Sequence, residues 1–205
     1  MHINPDHPTR KRLTKEDVRA SRLHKEPYHL LPNTWTGTVL DILDRETLSA
    51  ADRLWIVLHA QTSVIADKRL LRTFAIWCAR QALSLLDNPD PCAAKACDMA
   101  ERYANGQATE EELLSAHNQV YALHTIECNA VENRSDPDDP PDYTVAGAYS
   151  AILAATGADE GVCFAHTRAT RTFLSRYHAK TQDEIYETAG KDQIAYLRKL
   201  LTETQ

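Results

Sequence analysis

Four residues of this chain carry donor atoms at spacings that suit a tetrahedral metal ion. His124 and Cys128 stand four apart, one helical turn, and Cys163 and His166 stand three apart on a later stretch. Two imidazole nitrogens and two thiolates facing one another would make a structural zinc centre, with His117 as a substitute ligand. The same residues could form a Cys–His nucleophilic pair, although no third orienting group or oxyanion site accompanies them. The quartet lacks the tight ligand spacing of familiar zinc modules. Its expected use is therefore hydrogen-bonded core packing without a cofactor, zinc being the alternative. Cys92 and Cys97, five apart, do not share a helical face and read as packing residues. No glycine-rich phosphate loop, paired-histidine metalloprotease helix, nucleophile elbow or calcium loop occurs, and six glycines leave little material for a phosphate cradle. A metal- or cysteine-dependent enzyme is the less favoured reading.

Charge offers two further candidates. Residues 1–26 hold seven basic side chains against four acidic ones, a charge of +3, which leaves −9 on the remainder. Arg10, Lys11, Arg12, Lys15, Arg19, Arg22 and Lys25 could neutralise phosphates of nucleic acid with salt-sensitive affinity, whereas a solvated arm is the plainer use of such a run. Asp136, Asp138, Asp139 and Asp142 line a proline-interrupted stretch and could meet a basic protein surface or calcium. Arg69 and Arg72 could bind an anion, but a solvated charged face or a local salt bridge is the expectation for them.

The elements that would position these groups are helical. Residues 1–33 carry four prolines around a short expected helix from Thr14 to Lys25 and read as an arm; residues 34–205 read as one domain. Trp35 to Asp44 suggests a first core helix with a weak start at Thr36, Gly37 and Thr38. Ser49 with Asp52 caps a second. The strongest pattern runs from Asp67 to Leu86, with Leu70, Leu71, Phe74, Ala75, Trp77, Cys78, Ala82 and Leu85 at three- and four-residue intervals. Pro91 opens a helix with a face of small residues that stops at Asn105-Gly106. Thr109 with Glu112 starts the next, through Leu113, Val120, Tyr121 and His124 to about Val131. Beyond the aspartate-rich loop come helices over 143–155 and 159–180, and a last one capped by Thr181 and Glu184. No alternating strand pattern stands out. The fold class is all-α, a compact multi-helix bundle or irregular helical array with a basic N-terminal arm.

The runs Lys68-Arg69-Leu70-Leu71-Arg72-Thr73-Phe74-Ala75-Ile76-Trp77-Cys78-Ala79-Arg80 and Met99-Ala100-Glu101-Arg102-Tyr103-Ala104-Asn105-Gly106-Gln107-Ala108-Thr109-Glu110-Glu111 give the chain a resemblance. It resembles a widespread bacterial family of immunity proteins of polymorphic toxin systems, and similar helical proteins of bacteria and phages. The likeness is densest between residues 52 and 122, and Gln193 to Leu201 resembles the family's closing helix. The downstream helices depart from the family's alanine-rich pattern. What the resemblance implies is a binding and inhibitory role, with no catalytic residues to carry over.

Together these observations predict a helical protein-interaction module that binds and occludes a protein effector, with the loop aspartates as the first candidate contact. The alternative is a nucleic-acid-associated protein using the basic arm. The odd cysteine count, the lack of a secretory hydrophobic centre and the absence of a long apolar stretch lead to the expectation of a cytoplasmic, membrane-free protein.

Overall fold

The computed structural model describes residues 9–18, 27–59, 65, 67–133, 142–157, 165–176 and 181–203. The chain is all-α: eight α-helices are present among these residues, beside a single 3-10 turn and a two-stranded pairing of two residues each. No helix among them is long and apolar enough to cross a membrane. The chain divides into two compact units, residues 1–70 with 186–205, and residues 71–185.

In the first unit, β1 (Leu13–Thr14) pairs antiparallel with β2 (Thr36–Gly37), Leu13 opposite Gly37. The helix expected from Thr14 is not formed over the described part of that stretch. Thr14 and Asp17 do exchange the reciprocal bonds of a capping box, Asp17 accepting from the Thr14 amide at 2.8 Å, but the box closes a turn. Residues 19–26 lie outside the described residues. Three apolar residues of the expected arm, Leu13, Val18 and Leu31, are buried to 1% exposure, so this segment contributes to a core. The first core helix, α1 (Val39–Leu43), is shorter than expected because Thr36 and Gly37 are spent on the strand. It starts at Thr38, whose hydroxyl and Asp41 form a full capping box. Next come α2 (Ala50–His59), begun by Ser49 and Asp52 as expected, and, from the far end of the chain, α8 (Gln182–Glu203). Glu187 of α8 accepts from the Ala50 amide at 3.0 Å, satisfying an orphan donor at the start of α2. Gly190 allows the backbones to meet there: a Cβ at 190 would lie 2.6 Å from the Ala50 Cβ. Arg53 donates to the Leu43 carbonyl, and Arg198 pairs with Asp44.

The second unit begins in α3 (Lys68–Leu83) and continues through α4 (Pro91–Ala104), α5 (Glu110–Glu132), α6 (Thr144–Thr156) and α7 (Ala165–Arg176). α6 is its centre. Alanine-rich and apolar all round, α6 buries ten of its thirteen residues and packs against α4, α5 and α7. Gly147 brings α7 close, since a Cβ there would meet the Thr172 hydroxyl at 2.9 Å. On α3 the phase is the expected one, with Leu70, Phe74, Ala75, Cys78 and Ala82 buried, but Leu71, Trp77 and Leu85 lie at its margin and Ile76, Ala79 and Leu83 complete the face.

Candidate functional site

The α4–α5 corner is built by local chemistry. Gly106 takes φ 69°, and the Gly106 and Gln107 amides donate to the Tyr103 and Arg102 carbonyls, which ends α4 in a Schellman turn. Two residues later Thr109 and Glu112 form the reciprocal box that starts α5, and Glu110, Glu111 and Glu112 put negative charge at its N-terminus. The tight corner sets Tyr103, at the end of one helix, beside Glu110, Leu113 and Leu114, at the start of the next.

These residues wall a cleft of about 370 Å³ whose other lining residues are Arg72 of α3, His117 of α5, and Thr156 and Gly157 at the C-terminal end of α6. Arg72 is 3% exposed, which overturns the expectation of a solvated basic residue. Its Nη1 donates to the carbonyls of Ala155 (2.7 Å) and Gly157 (3.1 Å), and its guanidinium lies 5.1 Å from the centre of the Tyr103 ring. The end of α6 presents carbonyls without helical partners and the negative pole of the helix; a buried cation there answers both. His117 Nδ1 lies 3.0 Å from the Thr156 hydroxyl, which itself donates to the Ile152 carbonyl at 2.9 Å. Burial pushes the His117 pKa below its ordinary value, which favours the neutral ring.

The outer flank of α5 continues from the cleft. Leu114, His117, Tyr121 and Cys128 recur at helical spacing on one side of the helix. Leu114 and Tyr121 are 55% and 59% exposed, and among the described residues only Leu113 and Val120 of this long helix are fully buried. The helix expected from the sequence runs through both Val120 and Tyr121; of the two, Val120 is buried and Tyr121 is exposed.

The sequence-predicted sites fare differently. His124 and Cys128 do meet: the sulfur lies 3.6 Å from Nε2 and 3.9 Å from Nδ1. A sulfur nearly equidistant from both nitrogens is off the lone-pair axis of either, so this arrangement is a packing contact rather than an aligned base and nucleophile. Burial first, and Arg168 of α7 second, push the His124 pKa down. Cys163 lies outside the described residues, as does the side chain of His166. Among the described residues no group of three His, Cys, Asp or Glu side chains is placed to hold a metal ion. Cys78 and Cys97 are buried, and burial pushes the Cys97 thiol up to about 11.

Asp136, Asp138 and Asp139 lie outside the described residues. Asp142 is exposed, and its carboxylate accepts from the Thr144 amide at 2.8 Å, a helix-starting contact for α6. Of the basic set, Arg10, Lys11, Arg12 and Lys15 are described, and Arg19, Arg22 and Lys25 are not. Arg12 donates to the Thr36 hydroxyl and Lys15 to the Asn33 side chain, both at 2.9 Å, so two of these cations brace the β1–β2 corner.

Comparison with protein-family models, curated proteins and solved structures gives no match. The likeness to immunity proteins therefore rests on the residues quoted for it above.

Proposed function

We propose that this chain is a protein-binding module of the immunity type, which occludes a basic protein effector by seating it on the outer flank of α5. The observation that carries this reading is the pair Leu114 and Tyr121, two turns apart on one side of the helix and each more than half exposed, with Leu114 also lining the cleft. A single exposed leucine is ordinary, but two large apolar side chains aligned beside a concavity are the composition of an interface centre. The acidic first turn of α5 and the net charge of −6 favour a partner of opposite sign. On this reading the contact is the flank of α5 rather than the aspartate-rich loop that composition alone suggested.

A photoreactive phenylalanine analogue placed at position 114 or 121 in native cells tests the assignment, with the exposed Lys95 of α4 as the control position. The expected result is one basic protein cross-linked at 114 and 121 and not at 95. Equal cross-linking at all three positions, or none at 114 and 121, removes the assignment.

A further inference from the structure

Ten residues of α5 between positions 114 and 130 are exposed, and none of them is Lys, Arg, Asp or Glu, although 25% of the chain is charged. The one such residue between Glu112 and Glu132 is Glu127, which is half-buried and close enough to Tyr149 of α6 to act on its hydroxyl. The exposed face of α5 is therefore free of these charges for about 24 Å. Acid closes it at both ends, with Glu110, Glu111 and Glu112 in the first turn and Glu132 in the last. Of the five large apolar side chains exposed among the described residues, three stand on this face: Leu114, Tyr121 and Ile126. At about 100° per residue, Leu114 and Tyr121 lie within about 20° of each other, whereas Ile126 lies about 120–140° further round the helix. Asn118, Ala122 and Thr125 occupy the arc between them. The stripe with which a helix meets one flat layer is about 100° wide, so a flat surface that covers Leu114 and Tyr121 leaves Ile126 in water.

We propose that α5 enters a groove of the basic partner, whose uncharged floor meets Asn118, Ala122 and Thr125, whose two walls meet Leu114 with Tyr121 and Ile126, and whose basic side chains stand at each end opposite Glu111 and Glu132. A helix laid into a groove is a general mode of recognition, and the angular spread of the three apolar side chains requires the concave form of it. Charge assigns the ends. Interfaces deplete charge at their centre and keep it at the rim, which is the distribution along this face. A second copy of this chain fits neither requirement, since it offers a convex helix and the same acidic ends. Ala122, with one methyl group in the middle of the face, lets the floor approach closely. The inference rests on the binding role proposed above and adds the shape and charge pattern of the partner's surface.

The full-length chain carrying the photoreactive phenylalanine analogue at 114, 121 or 126 is irradiated in native cells, and the cross-linked peptides are identified by mass spectrometry. One protein should be captured at all three positions, with 126 reaching a different segment of it from 114 and 121. That protein, purified, is then titrated with variants of this chain. Asn118→Glu changes an exposed position to a better helix former. A partner surface that is basic throughout would bind this variant more tightly, whereas an uncharged floor binds it about tenfold more weakly. Ala122→Trp, which fills the middle of the face, should weaken binding as much; if its melting temperature falls, Asn118→Glu decides. Glu111→Gln with Glu132→Gln should weaken binding and flatten its dependence on salt. Capture of a different protein or of none at 126, capture of a second copy of this chain, or tighter binding by Asn118→Glu overturns the groove. So does undiminished binding by a folded Ala122→Trp. If a basic protein is still captured at 114 and 121, the groove falls and the docking flank stands; capture at 126 alone removes both.

Discussion

Replacing Arg72 by methionine isolates what a buried cation does at the end of α6. Methionine retains most of the side-chain volume, so the change removes two charge-assisted hydrogen bonds and the contact with Tyr103 while opening little cavity. Each such bond contributes about 1.5–3 kcal/mol, and the carbonyls of Ala155 and Gly157 are left without this donor. Against that loss stands the relief of no longer burying a guanidinium, which offsets part of it. The balance is a destabilisation of about 3 kcal/mol, and for a chain of 205 residues this corresponds to a fall of about 6–12 °C in Tm. Urea melts followed by circular dichroism measure the change, with Arg69→Met as the comparison. Arg69 is exposed one turn earlier on the same helix, and its loss should cost about 0.5 kcal/mol or less. Equal effects of the two substitutions would refute the reasoning, because they would return Arg72 to the solvated face that the sequence suggested.

Three further substitutions probe the two units. Phe74→Ala removes the largest fully buried side chain among the described residues and should cost about 3–5 kcal/mol in a denaturant melt; a near-silent change would mean the phase of α3 is wrong. Gly190→Ala would raise helix propensity at an exposed site, but here the new Cβ meets Ala50, so a loss of about 1–3 kcal/mol is expected and a gain in Tm would contradict the close approach of α8 to α2. The Ala50 amide, and to a smaller degree Lys191 and Arg53, hold the Glu187 carboxyl below its ordinary pKa. Its contribution is therefore present above the unfolded carboxylate pKa and is lost as pH falls through the folded value. Glu187→Gln should cost about 1 kcal/mol near neutrality, a figure reduced by the partial exposure of this side chain, and the difference from wild type should shrink as the pH falls below the ordinary carboxylate range. A difference that persists undiminished in acid would show that charge is not its source.

The parts of the fold that could be read in the sequence are those set by local chemistry. Thr109 with Glu112, Thr181 with Glu184, Asn105-Gly106 and Pro91 mark helix ends through bonds within a few residues, and each occurs where its spacing indicated. The weak start of α1 at Thr36, Gly37 and Thr38 was legible, but the strand that takes Thr36 and Gly37 was not, because it depends on β1, more than twenty residues away. Arg72 was misread for the same reason. Its partners are the carbonyls of residues 155 and 157, and a basic residue inside an apolar stripe was the available hint. Tyr121 could have been recognised as marginal, since it neighbours Val120 and two adjacent residues of a helix point about 100° apart. The His117–Thr156 contact in the cleft left no signal at all in the spacing of either residue.

The most direct test of the binding account uses the protein captured by the cross-link, purified separately and titrated by calorimetry against this chain. The account predicts a one-to-one complex that weakens with salt, and a loss of about tenfold or more in affinity for Leu114→Ser with Tyr121→Ser, a pair that leaves the melting curve unchanged. A double variant that binds as tightly as the wild type would contradict it.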